Sequence, residues 1–484
     1  MERINKKAGM LDFFPGVPRA IQIQALQQIE ENWDKADVFV VNLPVGAGKS
    51  RVAVTLSRWA SSMRKLGSSI ITPTNVLVDQ YRTDFPKLPS LSKKDSYTCN
   101  FSTDQHRISC KDTHARRKKH CSDCPYVKGI RQSHAVPYGI YNNHIYLAHK
   151  LYRDILIADE AHNLVRVLQD RAAKVFWHHD YGFPGYVRDY GSLLRWLEAN
   201  PYLDEDPKLQ LLHKELQSGK TRYVITRSSE LYHGEDRECI KMAPVDVRDQ
   251  PPLFWPGSKV RKVILLSATI GQKDVEQLGL DKKRVYTVNA TSPVDAERRP
   301  VVVLSTCSMA YAQQQTNLPV LAEAVRNLLR DHPEKGLIHI TYSLASMLRP
   351  LLANEPRLRW HTRENAREVY TTFKDEPAST GAVLVASGMY EGIDLPYDAA
   401  RWQVITKVPY PSLAEPAVRY LADSDPEWYA WETAKSILQA SGRVVRAADD
   451  WGITYIIDST FEHRLYRDHS HLFPQWWKES LVFS

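Results

Sequence analysis

The stretch Asn42-Leu-Pro-Val-Gly-Ala-Gly-Lys-Ser50 constrains this chain more than any other. Before it lies Val38-Phe-Val-Val41, a short β-branched apolar run that reads as a buried strand. After it, Arg51 to Ala60 has helical apolar spacing. Strand, glycine-rich loop and helix form the context of a phosphate-binding loop. Backbone N–H groups of Gly46, Ala47 and Gly48 and of the helix start face phosphate oxygens, Lys49 neutralises β/γ charge, and the Ser50 hydroxyl ligates Mg²⁺. Leu43 stands where the general pattern has its first glycine, while the Ala-Gly-Lys-Ser end is intact.

A second apolar run, Ile155-Leu-Ile-Ala158, ends directly in Asp159-Glu-Ala-His162. Two carboxylates at the carboxyl end of a buried strand divide the work of hydrolysis. Asp159 holds Mg²⁺, and Glu160 orients and deprotonates the attacking water. With the phosphate loop, they predict a nucleoside triphosphatase.

At 484 residues and 43% hydrophobic content, the chain can bury more than one core and is expected to be multi-domain. Its net charge of +8 suits a polyanionic partner without specifying one. No apolar run reaches membrane-spanning length and Met1-Glu-Arg-Ile-Asn-Lys-Lys7 has no signal-peptide character, so an intracellular, cytoplasmic location is expected. Disulfides are not expected there.

Ahead of the phosphate loop, Ala20 to Trp33 is periodic for a helix. Gln22 on it offers a donor and an acceptor to an adenine edge, or is one more solvated glutamine among Gln24, Gln27 and Gln28. Thr72 and Thr74 end a third strand, where hydroxyls can hold a nucleic-acid phosphate. Cys99, Cys110, Cys121 and Cys124 then cluster as C-x10-C-x10-C-x2-C, a set of thiolates that suits either a [4Fe–4S] cluster or Zn²⁺. The basic run His114 to His120 beside them is a solvated loop or a phosphate contact. Residues 165–258 have mainly helical patterning and separate the Asp-Glu strand from Val263-Ile-Leu-Leu-Ser-Ala-Thr269, which implies an insertion.

From about residue 296 a second β–α alternation begins, without a phosphate loop of its own. It carries Glu391-Gly-Ile-Asp394 and Gln439-Ala-Ser-Gly-Arg-Val-Val-Arg446. Arg443 and Arg446, three apart, are read as sharing a helical face from which both reach a γ-phosphate as arginine fingers. Tyr390, Trp402 and Tyr410 serve equally as base-stacking platforms or as core.

In this order, the adenine glutamine, phosphate loop, Thr-Pro-Thr, Asp-Glu-Ala-His, Ser-Ala-Thr, Glu-Gly-Ile-Asp and Gln-x-x-Gly-Arg-x-x-Arg resemble a superfamily-two helicase. The cysteine group before Asn143-His144, Cys124-Pro-Tyr126, Glu391-Gly-Ile-Asp-Leu395 and Lys407-Val-Pro-Tyr-Pro-Ser412 are similar to the DinG/XPD branch. The resemblance spans nearly the whole chain. It implies two RecA-like α/β domains at 1–295 and 296–484, with ATP and Mg²⁺ between them. It also implies an iron–sulfur insertion at 95–145, a mainly helical arch-like insertion at 165–258, and 5′→3′ movement on single-stranded or forked DNA. By the same resemblance Gln22 reads adenine, Gly392 and Asp394 link ATP to DNA, and Gln439 faces the γ-phosphate. A translocase serving a larger nucleoprotein complex with an effector or loading partner, and an RNA helicase, are the competing expectations.

Overall fold

The computed structural model describes every residue except 1–7, 45, 101–123, 219–221, 233–234, 249–252, 289, 293, 390–392, 446 and 448. Among the described residues, no helix is long and apolar enough to cross a membrane.

The first sheet is built from β1 (Val38–Asn42), β2 (Ser68–Thr72), β3 (Tyr138–Asn142), β4 (Ile155–Asp159), β8 (Lys262–Ser267) and β9 (Val285–Val288). Their order is β3-β2-β4-β8-β1-β9, and every pairing is parallel. A parallel sheet covered on both faces needs apolar residues at every strand position, which is why these strands read as continuous hydrophobic runs. The pleat divides them between two cores. Phe39, Val41, Ile155, Ile157, Ile264 and Leu266 pack towards the helices Ala20–Glu31 and Lys49–Trp59. Val38, Val40, Leu156, Ala158, Val263 and Leu265 pack on the opposite face.

The second sheet holds β10 (Val301–Cys307), β11 (Gly336–Ile340), β12 (Leu358–Arg359), β13 (Val383–Ser387), β14 (Trp402–Ile405), β15 (Ile453–Asp458) and β16 (Leu481–Phe483). Its order is β12-β13-β11-β14-β15-β10-β16, again wholly parallel. The chain thus has two RecA-like α/β domains. Parallel strands carry all their carboxyl ends to one edge, so each domain gathers its strand-following loops on one side.

The segment expected to be mainly helical contains more than helices. Between the helix Leu164–Ala172 and β8 lie β5 (Lys174–Trp177), β6 (Tyr223–Tyr232) and β7 (Glu235–Pro244), an antiparallel sheet in the order β5-β7-β6. The helices Tyr190–Glu198 and Pro207–Gln217 close a small core on it through Leu193, Leu197, Leu212, Ile225 and Met242. The hairpin escaped the sequence reading because Thr226-Arg-Ser-Ser-Glu230 and Glu235-Asp-Arg-Glu238 are polar runs within its two strands. Arg222 beside this hairpin lies over the Tyr420 ring of the second domain, 4.2 Å from its centroid.

Candidate nucleotide site between the two domains

The phosphate loop leaves β1 at the carboxyl edge and is held from several sides. Leu43, in the glycine position of the general pattern, is wholly buried, and its N–H donates to Ser267 O at 2.9 Å. An apolar anchor here fixes where the loop departs from the sheet. Gly46 and Gly48 have φ of +79° and +77°, in the left-handed region that glycine adopts without strain. Gly48 caps the helix Lys49–Trp59, whose start supplies the N–H groups expected to meet phosphate.

Gln22 is buried, and its amide is turned onto the loop. Nε2 donates to Ala47 O at 2.9 Å and to Gly48 O at 3.3 Å, while Oε1 accepts from Arg19 N at 2.9 Å. Arg19 Nη1 donates to Gly46 O at 2.6 Å. In this structure Gln22 is therefore a brace under the phosphate loop. A side chain at position 48 would collide with it, since a Cβ there would come within 2.4 Å of Gln22 Nε2.

Asp159 and Glu160 follow β4, one strand away from β8. Asp159 Oδ2 accepts from Tyr81 OH at 2.8 Å and Oδ1 from Glu160 N at 3.0 Å, with both donors close to the sheet. Burial, reinforced by the neighbouring Glu160 charge, pushes the Asp159 carboxyl up to about 6. Burial also works to raise Glu160, but Lys49 and His162 outweigh it and hold that carboxyl below the ordinary glutamate value. Lys49 Nζ is 3.6 Å from Glu160 Oε1, and His162 Nδ1 is 3.4 Å from Glu160 Oε2. A buried carboxylate beside a half-buried one, with Lys49 between them and the loop, forms a donor set suited to a divalent cation. Glu160 itself adopts a left-handed φ of +52°, which aims its side chain away from the strand direction.

His162 Nδ1 lies 2.8 Å from Ser267 Oγ, which also accepts from Thr269 N at 3.0 Å. Gln439 Nε2 of the second domain donates to Thr269 Oγ1 at 3.4 Å. A continuous run of polar contacts thus leads from Glu160 to the second domain. Gln439 lies in the last turn of the helix Pro426–Ser441, and Arg443 comes after that helix has ended. The expected helical face joining Arg443 to Arg446 is therefore not formed, because the helix stops at Gly442. Arg443 Nη1 donates to Ile393 O at 3.1 Å, and its charge reaches Glu160. Asp394 is exposed; its backbone N–H donates to Tyr370 OH at 3.1 Å, and its carbonyl lies 3.2 Å from the same hydroxyl. Arg446, Gly392 and Tyr390 lie outside the described residues.

Of the cysteine quartet, Cys99 and Cys124 are buried, Cys124 at the start of the helix Pro125–Ala135; Cys110 and Cys121 lie outside the described residues. Among the described residues, no group of three or more metal-ligating side chains is assembled. Trp402 is core rather than a stacking platform: it is fully buried and its Nε1 donates to Glu334 O at 3.1 Å. Tyr410 is half-buried and stacked on Tyr429.

The sequence reading missed Tyr81, whose partner Asp159 is 78 residues away. It also missed the charged seam between domains. There Lys435 Nζ donates to buried Asp274 at 2.9 Å, Trp431 Nε1 donates to Asp274 at 2.8 Å, and Lys273 Nζ reaches Glu427 at 3.0 Å and Asp425 at 3.1 Å. Tyr81 lies on the buried side of its helix, and no local signal announces a partner so distant.

Comparison with known proteins agrees with this geometry. A family model described as "Type III restriction enzyme, res subunit" matches residues 16–179, and a "Helicase C-terminal domain" model matches residues 325–480. The chain resembles the DinG/XPD-like superfamily-two helicases. It is similar to the regulator of telomere elongation helicase 1 homologs of Drosophila ananassae and Anopheles gambiae. Both are 30% identical, over 121 and 140 residues, which are 22% and 24% of this chain. These matches span only 12% and 14% of the relatives' own lengths. Among solved structures, a chain titled "XPD_Helicase" aligns with a TM-score of 0.62 at 12% identity, covering 97% of this chain and all of the other. Xpd4 of S. tokodaii aligns with a TM-score of 0.55 at 14% identity over 96% of this chain and all of the other, which supports the shared fold.

Proposed function

We propose that the chain is an ATP-driven motor that moves 5′→3′ on single-stranded DNA and opens forked duplex. The observation that carries this reading is the polar run from Glu160 through His162, Ser267 and Thr269 to Gln439, which makes the nucleotide site a two-domain structure. Lys49 and the loop N–H groups bind the β- and γ-phosphates, and Gln22 keeps the loop in the shape that does so. Mg²⁺ held by Ser50 and Asp159 would neutralise phosphate charge there. Glu160 takes a proton from the attacking water once phosphate has drawn Lys49 away from it.

Arg443, beside Ile393, and Arg446 supply positive charge from the second domain as it accumulates on the γ-phosphate. Gly392 and Asp394 of the Glu-Gly-Ile-Asp motif connect that event to the nucleic acid. ATP is thereby a ligand of both domains, and its hydrolysis removes the shared contact. Domain separation and closure then alternate along the strand. Exposed Thr74 and the positive net charge suit a strand held with little sequence preference, whereas Thr72, expected beside it, is buried with its hydroxyl donating to Thr74 O at 3.1 Å. Cys99, Cys110, Cys121 and Cys124 are assigned to a [4Fe–4S] cluster, with the two buried thiols Cys99 and Cys124 flanking the rest of the motif.

The test is phosphate release with and without oligo(dT) and oligo(rU), alongside strand separation on forks with a 5′ or a 3′ tail. DNA-stimulated turnover with unwinding of the 5′-tailed fork supports the proposal. Stimulation without separation of any fork identifies a translocase instead, preference for oligo(rU) an RNA helicase, and turnover indifferent to nucleic acid removes the motor reading.

A further inference from the structure

Tyr81 occupies a position in the site that none of the roles above uses. It lies on the helix Asn75–Asp84, is 2% exposed, and directs its hydroxyl at Asp159 Oδ2 over 2.8 Å. The other carboxylate oxygen is held by Glu160 N at 3.0 Å. A carboxylate with a donor on each oxygen cannot rotate about its Cβ–Cγ bond without losing one of them, so the direction of its remaining lone pairs is set.

The other end of the same helix is exposed. Thr74 caps it, accepting from Leu77 N at 3.3 Å, and Thr74, Asn75 and Val76 face solvent at the carboxyl edge of the first sheet. Two turns separate that edge from Tyr81. Both belong to one hydrogen-bonded helix, which joins Thr74–Val76 to the Tyr81 hydroxyl.

We propose that Tyr81 is a positioning residue that aims Asp159 at its cation and ties that aim to whatever strand lies against Thr74–Val76. This rests on the role given to Asp159 above. Nucleic acid pressed on the exposed turn settles the helix, the hydroxyl settles the carboxylate, and the metal site becomes competent.

Tyr81→Phe keeps the buried ring and removes only the hydroxyl. Tyr146→Phe is its control, because Tyr146 is equally buried but donates to Phe254 O at 2.6 Å on the opposite face, away from the site. ATPase is measured against Mg²⁺ concentration, with and without oligo(dT), and each melting temperature is recorded. The expected result for Tyr81→Phe is a Mg²⁺ half-saturation raised roughly tenfold, the scale of lost outer-shell support, and reduced stimulation by oligo(dT). Tyr146→Phe changes melting alone. Unaltered Mg²⁺ dependence and stimulation in Tyr81→Phe, beside a wild type that shows both, overturns this proposal and leaves the motor reading standing. A shift shared equally by Tyr146→Phe also overturns it, as a general loss of packing. A wild type with no Mg²⁺-dependent, DNA-stimulated turnover overturns the motor reading itself.

Discussion

Lys49 Nζ stands 3.6 Å from Glu160 Oε1, so the lysine proposed to bind phosphate and the proposed general base are paired with each other. On that proposal, phosphate competes with Glu160 for the lysine and releases the carboxylate for its work on water. Glu160→Gln should retain ATP binding while turnover falls roughly a hundredfold or more, the scale of a lost general base. Lys49→Ala should lose both. Phosphate release combined with nucleotide titration separates the two outcomes.

Gln22 offers a second distinction. Because its amide props Ala47 and Gly48, Gln22→Glu places a carboxylate where two carbonyls need a donor. The KM for ATP should rise about tenfold, corresponding to one lost buried hydrogen bond to the loop. The same factor is expected with GTP. A loss confined to ATP would return Gln22 to the adenine-reading role.

The seam between the domains is a buried ion pair, and such pairs are costly to break from one side. Lys435→Met should destabilise the docked domains by about 3 kcal/mol, since Asp274 then keeps only Trp431 Nε1 and Gly271 N as donors. Lys435→Met combined with Asp274→Asn should recover part of that loss. Denaturant unfolding of both variants measures it.

His339 predicts a pH dependence in the second domain. Burial lowers its pKa to about 4, against a hydrogen bond to Gln403 Oε1 at 3.1 Å that works the other way. The unfolded chain then binds more protons than the folded one between about pH 6.5 and 4. Stability from this group is complete above the unfolded value and falls as the pH drops through that window, by about 3 kcal/mol in all. His339→Gln should flatten the low-pH limb of the unfolding free energy; an unchanged limb contradicts the assignment.

Cys124→Ser should abolish iron content and visible absorption if the quartet binds a cluster. Zinc in its place would keep the motor and change the metal. A metal-free wild type prepared without oxygen would remove the quartet from the site.

Much of the nucleotide site was legible because its parts are local. A strand, a glycine-rich turn and a helix start are spelled within Val38 to Ala60, and Asp159-Glu160 sits at the visible end of an apolar run. What stayed hidden depends on distance. Tyr81 meets Asp159 only after the sheet has formed, and Asp274 meets Lys435 only after two domains have docked. The β6–β7 hairpin was masked by the polar runs within its strands, and the end of the helix Pro426–Ser441 left no break in the sequence before Gly442. Resemblance supplied the domain plan more readily than periodicity did.

β1 lies between β8 and β9, its hydrogen-bonded neighbours on both sides, and they begin at Lys262 and Val285. The strand that launches the phosphate loop is thus the first of its sheet to leave the ribosome, and it waits through most of the first domain, hairpin insertion included, for either companion. On a growing chain the loop residues exist long before the pocket does, since a nascent fragment ending before β8 lacks the Ser267 carbonyl on which Leu43 is anchored. Parallel pairings of such long range are slow to close, and an unpaired apolar strand is exposed to wrong partners meanwhile. The order of strands in the sheet therefore makes nucleotide capture a late event in the life of this polypeptide, and a direct report that its first domain is complete.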